Sequence, residues 1–178
     1  MQLVKIQLEN FRNYESLDLR FDDPGATSFI VGQNAQGKTN ILEAIYLLAL
    51  TKSFRTSHQE DLIKWESEYA RVTGEFEDGQ KLEVFLGNPP QPKRSLKKNE
   101  VKISAEKFIG NCQIVFFHPE DLNMLYLGPN LRRRYLDILN IQINKDYYRG
   151  LRSYKRVLEQ RNSLLKGIRA GTSHESDL

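Results

Sequence analysis

The chain has 178 residues, 39% of them hydrophobic and 28% charged, with a formal net charge of +3. This is globular composition, which excludes an intrinsically disordered chain, and no apolar run approaches the roughly 18 residues that a membrane helix requires. One cysteine, Cys112, excludes an internal disulfide, and the opening Met1-Gln2-Leu3-Val4-Lys5 lacks the pattern of a secretory signal, so a cytoplasmic protein is the expectation.

Residues 2–9 alternate Val4, Ile6 and Leu8 with Leu3, Lys5, Gln7 and Glu9, which predicts a strand with one solvated face. After a turn near Arg12-Asn13-Tyr14, residues 15–22 repeat the pattern and end in Asp22-Asp23-Pro24-Gly25, a strong turn signal. Thr27-Ser28-Phe29-Ile30-Val31 reads as a third strand. Asn40 to Leu50 is helix-like. Residues 70–76 and 81–87 predict a hairpin around Glu77-Asp78-Gly79-Gln80, and 93–103 another turning at Lys98-Asn99-Glu100. Ile114-Val115-Phe116-Phe117 reads as a short buried strand, and Cys112 beside it as a buried structural thiol.

From Asn130 onward helix formers dominate. Tyr147, Leu151, Tyr154, Leu158 and Leu165 form a heptad-like stripe interrupted at Arg161, a core face or a partner-helix seam. The expected organisation is a nucleotide-binding lobe over 1–112, a junction and start of a helical lobe over 113–166, and a disordered tail over 167–178.

Between the third strand and the first helix stands Gly32-Gln33-Asn34-Ala35-Gln36-Gly37-Lys38-Thr39. It fits the phosphate-loop pattern G-x-x-x-x-G-K-[ST], and its strand–loop–helix context gives the match physical content. Backbone N–H groups of such a loop wrap a polyphosphate, and the helix N-terminus adds a favourable dipole. Lys38 would reach the β- and γ-phosphates, and the Thr39 hydroxyl would hold Mg²⁺. Asn40 closes the set. An ATPase also needs an acid at a strand end and a group that activates water. After Ile114–Phe117 come His118-Pro119, with Glu120 and Asp121 displaced, and Asp137 falls in a helical pattern. Neither supplies that acid, so the catalytic residues are unknown.

Charge is unevenly placed. Leu131 to Arg169 holds eleven basic residues against Asp137, Asp146 and Glu159, and a second cluster comprises Lys93, Arg94, Lys97, Lys98 and Lys102. Such clusters serve polyanion binding, or are solvated helix faces and loop tips.

The order of these features resembles the N-terminal half of the RecF family, relatives of the SMC and ABC-type ATPases. The carrying residues are Leu8-Glu9-Asn10-Phe11-Arg12-Asn13-Tyr14, the loop Gly32–Thr39, and then Pro119-Glu120, Met124-Leu125, Gly128-Pro129, Arg132-Arg133 and Tyr135-Leu136-Asp137. Leu127 departs from the pattern, which usually has Gly there. The run Tyr154 to Lys166 looks like the beginning of the family's arm. The later signature and the metal-holding aspartate strand are missing, so the chain reads as a truncated piece.

The resemblance implies an α/β, ABC/SMC-type ATPase head with a mixed sheet, antiparallel hairpins and a helical extension. It implies ATP and Mg²⁺ as cofactors, with Arg12 and Asn13 approaching the nucleotide; a solvated turn is the alternative for Arg12. It further implies an ATP-dependent homodimer that binds DNA at single-strand gaps or as duplex, works with RecR, assists RecA loading and is linked to the SOS response. Lys52-Ser53-Phe54-Arg55 looks like a family loop whose basic pair faces DNA or ligand, or caps the helix. Two other readings stand beside this: a phosphate-loop small-molecule kinase with Arg132-Arg133-Arg134 as a lid, and a catalytically inert ATPase lobe.

Overall fold

The computed structural model describes residues 2–23, 25–91, 93–170 and 172. The chain divides at His118–Pro119 into two compact units. In the first, a six-stranded sheet has the order β2-β1-β3-β4-β5-β6, every neighbouring pair antiparallel. The strands are β1 (Leu3–Phe11), β2 (Tyr14–Arg20), β3 (Tyr69–Phe76), β4 (Lys81–Gly87), β5 (Arg94–Lys98) and β6 (Val101–Lys102). The expected hairpins are present, with Asn99 and Glu100 both at positive φ in the last turn.

Period-two alternation sends Ile6, Leu8, Ala70, Val72, Leu82, Val84, Leu86 and Leu96 to one buried face. Helix α1 (Lys38–Leu50) supplies Ile41, Ala44, Leu47 and Leu48 to the same core. Gly74 lets Leu48 approach: a Cβ there would lie 2.8 Å from Leu48 Cδ1. Each such aliphatic side chain contributes about 1.5–3 kcal/mol on burial. The opposite face is a ladder of charges, with Lys97–Glu83 at 2.9 Å and Arg71–Glu9 at 3.0 Å. Tyr69 and Phe85 stack at 5.5 Å, and the Arg71 guanidinium lies 5.7 Å from the Tyr69 ring.

Two expected strands lie outside the sheet. Residues 27–31 and 114–117 carry no strand pairing, and Phe29, Val31, Val115 and Phe117 are all exposed. Apolar alternation reports which way side chains point; a strand also needs a neighbour for its backbone, and the sheet offers these runs none. Phe116 instead packs edge-on against Tyr46 at 5.2 Å and, with the rings tilted by 36°, against Phe54 at 4.4 Å. His118 joins that cluster 5.7 Å from Phe54, a packed loop histidine. Cys112 is buried, which pushes its thiol up to about 11.

A helical turn, α2 (Ala105–Phe108), is capped by Ser104 and buries Phe108. It escaped the sequence reading because one turn is too short to show a period.

The second unit holds α3 (Asn123–Tyr126), α4 (Pro129–Ile143) and α5 (Lys145–Arg169). Pro129 opens α4 at a position where its missing N–H costs nothing. Leu127 has φ −91 and ψ 154, ordinary extended backbone, so the departure from Gly introduces no strain. Asn144 caps α5 through the N–H groups of Asp146 and Tyr147. Tyr147 donates its hydroxyl to Asp137 at 2.6 Å, tying α5 to α4 and raising the phenol pKa. Further along the stripe Tyr154 is 63% exposed, so α4 does not cover it. The tail expected from residue 167 begins inside α5, and residues 171 and 173–178 lie outside the described ones. Among the described residues no helix is long and apolar enough to cross a membrane.

Candidate phosphate-binding site

The loop from Gly32 to Gln36 is exposed and runs into the N-terminus of α1. Ala35 at φ 65 and Gly37 at φ 102 both take left-handed backbone, a geometry that turns successive N–H groups to one side. Gly37 is the helix cap and offers no side chain, and its carbonyl accepts from Asn40 N at 2.8 Å and Ile41 N at 3.2 Å. The N–H groups of Lys38 and Thr39 have no partner among the described residues. They are the open end of the helix dipole, with no acidic side chain in the first turn to compete for them.

The Lys38 ammonium folds back along the loop and donates to Gly32 O at 2.6 Å and Gln33 O at 2.7 Å. That contact closes the loop into a ring and holds a positive charge at its mouth. Thr39 is exposed with its hydroxyl unpaired among the described residues. A Cβ at Gly32 would meet nothing within 4 Å, so the loop entrance is open. Amides, an ammonium and a hydroxyl suit a magnesium polyphosphate. The exposed Thr39 hydroxyl is the loop group that would reach such a metal, and Mg²⁺ keeps waters and phosphate oxygens in sites of this kind. No group of three His, Cys, Asp or Glu that could hold a metal occurs among the described residues.

The β1–β2 turn lies against this loop. Asn13 bridges it, donating from Nδ2 to Gln36 O at 3.2 Å and accepting from Asn40 Nδ2 at 2.8 Å. Arg12, at φ 55, is held by three bonds: Nε and one terminal nitrogen grip both oxygens of Glu43 at 2.8 and 2.7 Å, and the other donates to Asp61 O at 2.7 Å. Its backbone N–H reaches Leu62 O at 2.9 Å. All these donors face protein, so Arg12 braces the turn. Arg12 is thus not the freely solvated turn residue that was one of its two expected roles; three of its five guanidinium N–H donors are engaged by protein.

Two groups escaped the sequence reading. Glu43 is fully buried; besides Arg12 it accepts from the Ser53 hydroxyl and lies 3.5 Å from Arg55. The signal was a carboxylate inside an apolar helix run, a residue type almost never buried unpaired. Tyr14 sets its phenol on Gly37. Arg55, expected with Lys52 to face DNA or ligand or to cap the far end of α1, reaches the near end, donating to Asn40 Oδ1 at 2.9 Å. Arg94 caps the far end instead, through Thr51 O at 2.9 Å.

The basic cluster at 93–102 is partly occupied within the fold. Besides Arg94, Lys97 pairs with Glu83 and Lys98 donates to Asn111 Oδ1 at 2.6 Å. Arg132, Arg134, Arg152, Arg156 and Arg161, all exposed in the second unit, carry no such partner among the described residues.

An open glycine loop closing on Lys38 and Thr39 at the start of a buried helix defines a nucleotide-binding ATPase fold. The chain belongs to the AAA ATPase domain family, whose model matches residues 1–168. Within it the homology is to the N-terminal half of RecF. DNA replication and repair protein RecF of Bacillus cytotoxicus is 41% identical over 179 residues, and that of Bacillus mycoides 39% over 181, each match covering 100% of this chain and 47% of the relative. The chain thus spans about half the length of the curated relatives it matches. A solved structure of the recombination mediator protein RecF-ATPrS in the RecFOR pathway superposes with a TM-score of 0.87 at 37% identity, over 98% of this chain and 47% of that one. Its RecF-ATP counterpart gives 0.79 at 38%, over 93% and 46%. An SMC ATPase solved in a study of ATP-driven dimerization shares the fold, at TM-score 0.61 and 22% identity over 78% of this chain and 99% of that one.

Proposed function

We propose that the chain is the nucleotide-binding part of a RecF-type ATPase of DNA repair and replication, holding ATP·Mg²⁺ in the loop Gly32–Thr39 with Thr39 on the metal. The observation that carries the reading is the pair of open amides at Lys38 and Thr39 inside a loop closed by the Lys38 ammonium. The solved RecF-ATP structure supports the identity of the ligand. Glu43, the acid nearest Thr39 in sequence, is engaged by Arg12, so hydrolysis is assigned to no residue of this chain.

In the same reading ATP favours a homodimer that binds DNA at single-strand gaps or as duplex, partners RecR, assists RecA loading and is thereby linked to the SOS response. Differential affinity of nucleotide for the two states couples them. The RecFOR pathway named for the solved relatives and the exposed arginines of the second unit support this. Calorimetric titration with ATP·Mg²⁺ tests the site: binding is expected in the unmodified chain and lost in Lys38→Ala. Unchanged binding in that variant rules the loop out. DNA titration across salt, with and without ATP, tests the remainder.

A further inference from the structure

Two side chains of the β1–β2 turn converge on one carbonyl of the loop. Asn13 Nδ2 donates to Gln36 O at 3.2 Å, and the Tyr14 hydroxyl donates to the same oxygen at 3.4 Å. The Asn13 bond is the stronger, since 3.4 Å is long for a hydroxyl donor. Tyr14 adds shape: a Cβ on Gly37 would lie 2.7 Å from its hydroxyl and 2.8 Å from its ring, and 2.7 Å from Asn13 Oδ1. Burial raises the Tyr14 pKa, so the phenol stays a donor at neutral pH.

The peptide unit joining Gln36 to Gly37 is planar and trans, so its C=O and N–H point in opposite directions. An oxygen held by the turn therefore sends the Gly37 N–H away from the turn. Gly37 has no side chain to lock this plane, and glycine populates many backbone wells. The plane is fixed from outside the loop.

Resting on the phosphate-site reading above, we infer that Asn13 and Tyr14 are positioning residues: by holding Gln36 O they aim the Gly37 N–H at the bound phosphate, and neither side chain touches the nucleotide. Asn13 also ties this plane to α1 through Asn40, so the loop peptide and the helix N-terminus are set as one unit.

The test uses Asn13→Ala, Tyr14→Phe and Lys38→Ala in the full chain. It measures ATP affinity by calorimetry, nucleotide-free melting, and the ¹⁵N–¹H shift of Gly37 on adding ATP·Mg²⁺. Loss of one hydrogen bond predicts ATP binding about five- to tenfold weaker in Asn13→Ala and about twofold weaker in Tyr14→Phe. The Gly37 amide response shrinks in both. A brace with no role in binding would lower melting and leave ATP affinity and the Gly37 response as in the unmodified chain, and that result overturns the inference. Tyr14→Phe keeps the ring on Gly37 and decides the matter by its amide response if Asn13→Ala does not fold. Should the unmodified chain fail to bind ATP, or Lys38→Ala bind it equally well, the loop is not the phosphate site and both readings fall. Loss in Lys38→Ala with no change in the turn variants sinks the positioning role alone.

Discussion

Both carboxylate oxygens of Glu43 are gripped by the guanidinium of Arg12, at 2.7 and 2.8 Å, with the carboxylate fully buried. The pair joins the β1–β2 turn to the middle of α1 and holds Arg12 in left-handed backbone, which alone costs about 1–3 kcal/mol. Removing one partner strands the other. Glu43→Ala is expected to lower unfolding stability by about 3–5 kcal/mol, the range for breaking a buried ion pair. Chemical denaturation measures it. A loss under 1 kcal/mol would mean that the turn is held by the backbone bonds of 62–64 instead.

The buried thiol makes stability depend on alkaline pH. Cys112 is raised from 9.0 to about 11 by desolvation. Below pH 9 folded and unfolded chains both carry the neutral thiol, and its contribution is fully present. As pH rises from 9 towards 11 the unfolded chain loses the proton first, so it binds fewer protons and stability falls. The loss is on the order of 2–3 kcal/mol. Cys112→Ala should flatten the stability profile between pH 9 and 11 relative to the unmodified chain. Parallel profiles would place the alkaline loss elsewhere, in tyrosines or lysines.

Most of the sheet was legible in the sequence because five hairpin strands alternate cleanly and their turns carry Gly, Asn or Asp. The phosphate loop was legible because its residue types follow from the backbone it must adopt. The linkages between elements were not. Glu43, Ser53, Arg12 and Arg55 lie far apart in sequence, and neither spacing nor propensity brings them together. For the same reason Lys97 and Lys98 looked like free charges: local composition counts cations without showing the Glu83 on the neighbouring strand and the Asn111 beyond α2 that await them.

That distinction separates the two basic clusters in DNA binding. If the proposed DNA contact is made by exposed arginines, Arg132→Ala and Arg134→Ala should each weaken binding across all sequences and reduce the salt slope by about 1. Lys97→Ala should leave the slope unchanged while leaving Glu83 short of a partner inside the fold. The slope of log affinity against log salt decides. An equal fall in slope for Lys97→Ala would show that its ion pair opens to meet phosphate.

The runs outside the sheet make a last prediction about surface chemistry. Phe29, Val31, Val115 and Phe117 are 64–89% exposed, and large apolar groups so placed promote association. They contribute little burial, so removing them should cost little: Phe29→Ser and Phe117→Ser are each expected to shift unfolding stability by no more than about 0.5 kcal/mol, as surface changes do. Both should lower binding of a hydrophobic dye and reduce self-association in sedimentation. Were either residue packed in the folded chain, its truncation would cost about 3–5 kcal/mol, the range for deleting a core phenylalanine. The two outcomes differ severalfold, so a denaturation midpoint for each variant separates an exposed extended run from a strand already seated in a core.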